Sequence, residues 1–262
     1  MTGAVFEPVG DAFQPQPVSR SGWGEEVLHG GPVAALFVHQ MERVPAPVPM
    51  QVARLTVDMF RPVPTSPLTV TTQVSREGRR IQTLEASMTS DGVEVARATM
   101  LRIRSDDLAV PDHPTREPLP DPDGLPVHRM VHPMPEHDED DWFHTRGVEM
   151  RLVSGDIVEP GPATVWMRLT VPIVSGEEPS PTQRAVAVAD FPNGISRVLP
   201  PGWLYINPDL TVHFARPPDG EWIALGARTD ITGGVGLAQA DLFDTAGAFG
   251  HCLQSLLVAQ GY

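Results

Sequence analysis

Three polar residues in the second half of the chain, Asp190, Asn207 and Gln254, have side chains that could together handle a water molecule. A carboxylate can take a proton from water and so act as a general base. The two amides can donate and accept hydrogen bonds, so they can hold that water or a carbonyl oxygen. These residue types therefore allow hydrolysis by an activated water, without a covalent nucleophile.

Each of these residues also has a purely structural interpretation. An Asp early in a helix often serves as a cap, and Asn207 before Pro208 suits a turn. Gln254 lies in an apolar strand on the face shared by Leu256, where a buried amide must find a partner. Strict alternation puts Asn207 on the face opposite Leu210, so a β-bulge near Pro208 is needed to turn it inward.

A second candidate cluster, His29-Gly30-Gly31, opens the first predicted helix. The glycines allow a tight entry and the close approach of a substrate. The backbone N–H groups of a helix N-terminus can stabilise a developing oxyanion. His29 is expected to begin the helix or contact the substrate; acid–base chemistry with a carboxylate is the alternative.

The elements that must position these residues occur twice. Residues 55–62 recur as 210–217 with five of eight positions identical, and the offset of 155 also lays Asp91-Gly92 on Ala246-Gly247. Helical periodicity predicts helices at 32–42 and 185–198. Alternating apolar runs predict four strands after each helix, at 51–60, 68–76, 82–89 and 95–104, and at 205–214, 222–230, 235–243 and 250–259. Further strands are predicted before the second helix, at 148–153 and 164–174.

The repeat predicts two α+β units, one over residues 1–108 and one over 141–262, each a helix with an antiparallel sheet wrapped around it. Residues 109–140 join them and contain eight prolines and many acidic residues, which is typical of a solvated linker. His128, His132 and His137 in that stretch could bind a metal, but a solvated loop is favoured. No metal and no cofactor are predicted.

The two copies differ at the candidate site. Subtracting 155 relates the three polar residues to Ala35, Val52 and Thr99, none of which is ionisable. The polar cluster therefore belongs to the second copy, and one site per chain is predicted.

Composition excludes several functions. The net charge of −14 argues against nucleic-acid binding, which needs a basic footprint. A single cysteine, Cys252, and the lack of a leader favour the cytoplasm. No apolar run approaches the roughly 20 residues that span a membrane. The Gly-x-Ser-x-Gly nucleophile elbow is absent.

The motifs and their order resemble the bacterial acyl-CoA thioesterase II (TesB-like) family and its actinobacterial relatives. The resemblance is carried by His29-Gly30-Gly31-Pro32, Arg61-Pro62, Val148-Glu149-Met150-Arg151, Ala189-Asp190-Phe191, Asn207-Pro208-Asp209 and Leu253-Gln254-Ser255. It implies a tandem double hotdog with a joined sheet, and an acyl-CoA substrate cleaved by water. It also implies a catalytic set of Asp190, Asn207 and Gln254, with Asn207 standing where the family carries Thr.

Two other functions remain open at this point. One is a hotdog enoyl-CoA hydratase or dehydratase that uses His29 with a carboxylate. The other is a non-catalytic acyl-CoA-binding protein. For any of the three, the edges and outer faces of a two-unit sheet predict a homodimer or higher homo-oligomer.

Overall fold

The computed structural model describes residues 3–111, 116–130, 142–200 and 202–260. The first half of the chain contains β1 (Phe6–Val9), β2 (Ala12–Pro15), β3 (Arg20–Ser21), β4 (Gly24–Leu28), α1 (Gly30–Met41), β5 (Met50–Met59), β6 (Thr69–Arg76), β7 (Ile81–Ser90) and β8 (Val93–Arg104). The second half contains β9 (Val127–His128), β10 (Val148–Ser154), β11 (Ala163–Leu169), α2 (Pro181–Val188), α3 (Pro192–Ile195), β12 (Trp203–Ile206), β13 (Asp209–Phe214), β14 (Ile223–Thr232), β15 (Val235–Asp244) and β16 (Gly247–Gln260).

One antiparallel sheet runs through both halves. Its strand order is β6-β7-β8-β5-β13-β16-β15-β14-β11-β10-β9, and β12 also pairs with β16. Each half contributes a meander in the same relative order, so the sheet is continuous across the joint between β5 and β13. Helix α1 is apolar on all sides and nearly all of its residues are buried, as expected of a helix enclosed by a sheet.

The repeat predicted from the sequence is confirmed at the joint. Strands β5 and β13 pair antiparallel, and Thr56 lies directly opposite Thr211. These two residues are 155 positions apart, and their hydroxyl oxygens are 3.2 Å from each other. The pseudo-two-fold axis that relates the units therefore passes through this pair.

The second predicted helix, 185–198, is wrong at both ends and is interrupted. Helix α2 begins earlier, where the Ser180 hydroxyl accepts a hydrogen bond from the Gln183 N–H and Pro181 occupies the first turn. It ends at Val188 because Pro192 has no N–H to bond the Val188 carbonyl. Asp190 therefore lies in the break between α2 and α3, not in a first helical turn.

The predicted strand 205–214 is two strands, separated at Asn207-Pro208. Both pair with β16, and Ile206 lies opposite Leu257 while Thr211 lies opposite Leu253. Five residue steps separate Ile206 from Thr211, but only four separate their partners Leu257 and Leu253 in β16. The chain between β12 and β13 therefore contains one extra residue. The β-bulge expected near Pro208 is confirmed. The predicted strand 164–174 ends at Leu169.

Part of the predicted linker packs on the second unit. The Trp166 indole N–H donates to the Pro120 carbonyl at 2.9 Å, and Leu119 and Leu125 contact the Trp166 cluster. The short strand β9 pairs with β10. Apolar residues among the prolines explain why this stretch is not simply solvated. His132 and His137 lie outside the described residues, and the unit boundaries remain a prediction.

Candidate active site

The break between α2 and α3 places the Asp190 carboxylate against the N-terminus of α1, across the interface of the two units. Its side chain is only 5% exposed. A Cβ atom on Gly30 would lie 2.6 Å from Asp190 Oδ2, and one on Gly31 would lie 2.1 Å from the Ala187 carbonyl oxygen. The glycine pair was expected to admit the substrate; it admits the Asp190 carboxylate and the second helix instead.

Two amide side chains converge on one oxygen of this carboxylate. Asn207 Nδ2 donates to Asp190 Oδ1 at 2.7 Å, and Gln254 Nε2 donates to the same atom at 2.9 Å. Gln254 Nε2 also lies 3.2 Å from the Asp190 carbonyl oxygen, and the Gln254 side chain is fully buried. The structure thus brings together the three residues that the sequence singled out. It also provides hydrogen-bond partners for the buried amide of Gln254.

The orientation of both amides is fixed by Asn193, which sequence reasoning missed. The Asn193 N–H donates to Gln254 Oε1 at 3.3 Å, which turns Gln254 Nε2 toward the carboxylate. Asn193 Nδ2 donates to the Tyr205 carbonyl at 3.3 Å and lies 3.5 Å from Asn207 Oδ1. Asn193 is itself buried, and the sequence placed it only within the predicted helix 185–198, with no functional role.

The other oxygen of the carboxylate faces His29. Asp190 Oδ2 lies 3.0 Å from His29 Nδ1, which is also 3.1 Å from the Gly31 N–H. A single ring nitrogen can serve only one of these contacts, because it either carries a proton or accepts one. Nδ1 accepts from the Gly31 N–H when it carries no proton, as a helix cap does, and donates to the Asp190 carboxylate when it carries one. The imidazole ring is held between Phe143 and Phe191, at centroid distances of 5.2 and 4.8 Å.

A cavity of about 290 Å³ opens beside this group, between the two units. Asp190 and His29 form part of its wall. Its remaining lining is largely aromatic and apolar, and Arg197 provides a cation at one side. The lining includes Trp23, Met130, His144, Ile157, Val158, Phe191, Arg197 and Tyr205. Most of these were not predicted, because they come from six separate segments that only the fold assembles.

Arg197 and Tyr205 give this cavity its second polar feature. Arg197 Nη2 donates to the carbonyls of Ile157 and Val158 at 3.1 and 2.8 Å. Burial raises the pKa of the Tyr205 hydroxyl, and the neighbouring Arg197 charge and hydrogen bond oppose that rise.

The structure corrects one equivalence between the two copies. Thr56 lies opposite Thr99 in the first unit, and Thr211 lies opposite Leu253 in the second. The counterpart of Gln254 is therefore Met100, one residue from the predicted Thr99. Met100 is fully buried, so the first copy is apolar at this position too.

Two other features of the sequence have structural outcomes. Cys252 is fully buried, and burial raises the pKa of its thiol, which therefore stays protonated and is suited to packing. Within the described ranges of the chain, no helix has the length and apolar character needed to cross a membrane.

Comparison with protein families gives two adjacent matches. The model described as the acyl-CoA thioesterase N-terminal domain matches residues 19–103, and the one described as the acyl-CoA thioesterase C-terminal domain matches residues 122–258. Among curated proteins, none matches this chain.

Solved structures show the same architecture at low identity. A conserved protein with a hot dog fold from Alicyclobacillus acidocaldarius is 18% identical, with a TM-score of 0.74 over 98% of this chain and 96% of that one. An acyl-CoA thioesterase II from Mycobacterium marinum is 17% identical, with a TM-score of 0.67 over 97% and 96%. The TesB protein of Mycobacterium avium subspecies paratuberculosis is 16% identical, with a TM-score of 0.69 over 97% and 96%. These likenesses confirm the tandem double-hotdog fold.

Proposed function

The chain belongs to the acyl-CoA thioesterase family, and on that premise we propose that it hydrolyses an acyl-CoA thioester to the free acid and CoA by an activated water. One observation carries the proposal: the Asp190 carboxylate, held by two amides, lies beside a helix N-terminus in a cavity between the units. We place this activity in the cytoplasm because the sequence contains a single cysteine and that residue is buried.

Asp190 is the general base of the proposed reaction. A carboxylate has about four acceptor sites, and the two amides and His29 occupy three of them. The remaining site on Oδ2 accepts a hydrogen bond from a water molecule. Asp190 takes a proton from that water as its oxygen attacks the thioester carbonyl carbon.

The tetrahedral intermediate then needs a donor for its oxyanion. The N–H of Gly30 starts helix α1 and has no acceptor among the described residues. It lies next to the carboxylate and at the positive end of the helix dipole, which suits a developing negative charge. Collapse of the intermediate breaks the carbon–sulfur bond, and the leaving thiolate receives the proton from Asp190. The products are the free acid and CoA.

The other members of the predicted site support these steps. Asn207 and Gln254 orient the carboxylate by donating to Oδ1. His29 lies beside Oδ2 and forms part of the wall against which the acyl group binds, while Gly30 contributes its N–H to the oxyanion.

The experiment for this proposal is release of CoA from a panel of acyl-CoA esters of graded chain length. We expect turnover of at least part of the panel by the wild-type protein. No turnover of any ester, by folded protein that still binds acyl-CoA, would favour the acyl-CoA-binding alternative instead.

A second function is favoured by one specific contact, the 3.0 Å approach of His29 Nδ1 to Asp190 Oδ2. A histidine and a carboxylate from opposite units could together move the protons of an enoyl-CoA hydratase or dehydratase. That reaction predicts that His29→Ala abolishes hydration of an enoyl-CoA while Gln254→Ala does not. Thioester hydrolysis predicts a large loss in Gln254→Ala, because this amide positions the base.

A further inference from the structure

We infer that Arg197 binds an anionic group on the acyl part of the substrate, so that the preferred thioesters carry a carboxylate a few atoms from the reacting carbonyl. This inference rests on the proposed function and names a substrate class for the same cavity. It begins from a cation in the cavity wall that the hydrolytic chemistry does not use.

Among the described residues, Arg197 has hydrogen-bond acceptors but no ion-pair partner. Its Nη2 donates to the carbonyls of Ile157 and Val158, and it lies beside the Tyr205 hydroxyl. All of these residues line the cavity with it. Across the described ranges, no carboxylate forms an ion pair with Arg197. Neutral acceptors hold the guanidinium in place and leave its charge available to a ligand.

Asp156, a carboxylate close enough to interact with the Arg197 charge, is already engaged. The Asp156 carboxylate accepts the backbone N–H groups of Val158 and Glu159 at 2.6 and 3.1 Å. Those backbone hydrogen bonds are the main reason that the pKa of Asp156 is lowered, and Arg197 contributes only a weak Coulombic effect. Asp156 thus shapes the loop that positions Arg197 and does not neutralise it.

The size of the cavity places the anion on the acyl group. Arg197 and the base Asp190 line the same space of about 290 Å³, so a group at Arg197 lies close to the reacting carbonyl. The phosphates of CoA are separated from its sulfur by the whole pantetheine arm, which is too long to fold into that space. A carboxylate on a short acyl chain matches both the distance and the planar, forked geometry of a guanidinium.

The test compares two esters of similar length, glutaryl-CoA with a terminal carboxylate and hexanoyl-CoA without one. Arg197→Met keeps an apolar stem of similar length and removes the charge. We expect the ratio of kcat/KM for glutaryl-CoA over hexanoyl-CoA to fall about tenfold or more, as for loss of a charge-assisted hydrogen bond. Arg197→Lys, which keeps the charge, should restore part of the ratio. Arg228→Met, on an exposed residue of β14, changes the net charge equally and should leave the ratio as in the wild type.

An unchanged ratio in Arg197→Met would overturn the inference. If kcat/KM is unchanged for both esters, Arg197 is a purely structural tether of the 157–158 loop. If kcat/KM falls equally for both esters and the loss disappears with thioesters of N-acetylcysteamine, Arg197 binds a CoA phosphate instead. If the wild type hydrolyses neither these two esters nor any other ester of the graded panel, the proposed function fails. Dissociation constants measured by calorimetry then decide the inference. Tighter binding of glutaryl-CoA than of hexanoyl-CoA, lost in Arg197→Met, would still support it. Equal binding of the two esters by the wild type would overturn it.

Discussion

The Asp190 carboxylate is surrounded by donors on both of its oxygens. The amides of Asn207 and Gln254 converge on Oδ1, while the imidazole of His29 approaches Oδ2. These contacts fix the position of the carboxylate inside the cavity, which a general base that removes a proton from water would require.

Gly30→Ala tests how closely this carboxylate must be positioned. A Cβ atom at position 30 would lie 2.6 Å from Asp190 Oδ2, so the carboxylate must move. We expect turnover to fall by roughly 10², the scale of a misplacement of about 1 Å. Alanine is the better helix former, so the thermal midpoint should not fall much. Gly124→Ala, where the new Cβ meets nothing within 4 Å, is the control. Normal turnover by folded Gly30→Ala protein would contradict this account of the site.

At the residue scale, the sequence predicts the carboxylate and its amides because polar residues stand out in apolar strands. It does not predict Asn193 or Arg197, because both lie inside the helix predicted over 185–198. Their roles arise from contacts with Tyr205 and with the 157–158 loop, which are distant in sequence. The Asp190–His29 contact is likewise a consequence of how two helices cross.

The crossing of α1 and α2 depends on the absence of a side chain at position 31. A Cβ atom there would lie 2.1 Å from the Ala187 carbonyl oxygen, which is backbone and cannot move aside as a flexible side chain could. Gly31→Ala should therefore lower the free energy of unfolding by about 1–3 kcal/mol, as overpacking does. Urea unfolding measures this, with Gly124→Ala as the matched control. Equal stability of the two variants would show that the helices tolerate a wider separation.

A partly buried ion pair joins the end of β13 to the β15–β16 turn. The Asp244 carboxylate, fully buried, accepts two hydrogen bonds from Arg216, at 2.5 and 2.6 Å, and one from the Asp219 N–H at 2.9 Å. Burial alone would raise the pKa of Asp244, but the Arg216 hydrogen bonds and charge, with backbone N–H groups, hold it below its usual value.

This lowered pKa has a consequence for acid stability. A folded-state pKa below the unfolded value of about 3.9 stabilises the protein above that pH and is lost as the pH falls through the folded value. Asp244→Asn should cost about 1–2 kcal/mol at pH 7, because Arg216 loses a charged hydrogen-bond partner but is one third exposed and so stays partly solvated. The gap in unfolding free energy between wild type and Asp244→Asn should narrow below about pH 4. A gap that is constant from pH 7 to pH 3 would refute this.

At the element scale, period-two alternation predicts the meander strands. The predicted ends of these strands agree with the observed ends to within a few residues. The breaks are harder to predict, since both occur where a proline removes a backbone donor. Pro192 ends one helical segment, and Pro208 marks the bulge that turns Asn207 inward. Strand alternation correctly indicated that a bulge was needed, whereas helical periodicity continued across Pro192 and hid the break.

Across the whole molecule, the continuous sheet leaves an open edge at β6 and exposes apolar side chains such as Val74, Ile103 and Leu257. Unpaired edges and exposed apolar faces are commonly covered in symmetric homo-oligomers. We therefore predict at least a dimer, with a mass of no less than twice 28.4 kDa. Light scattering at micromolar concentration measures it, and a monomer there would rule this prediction out.

The duplication is the feature of the whole molecule that the sequence shows best. An octet repeated at offset 155 anticipated that β5 and β13 are equivalent, and the pairing of Thr56 with Thr211 confirms it. The linker was less predictable, because its prolines and acids masked the few apolar residues that pack against Trp166.

The most direct test of the central claim is the rate of CoA release by wild type and by Asp190→Asn. The amide keeps the size of the carboxyl group but cannot accept a proton from water. The account predicts that the wild type releases CoA from at least one acyl-CoA ester, and that turnover of this ester falls by roughly 10² or more in Asp190→Asn while the thermal unfolding midpoint shows that the variant remains folded. Folded Asp190→Asn protein that releases CoA as fast as the wild type would contradict it.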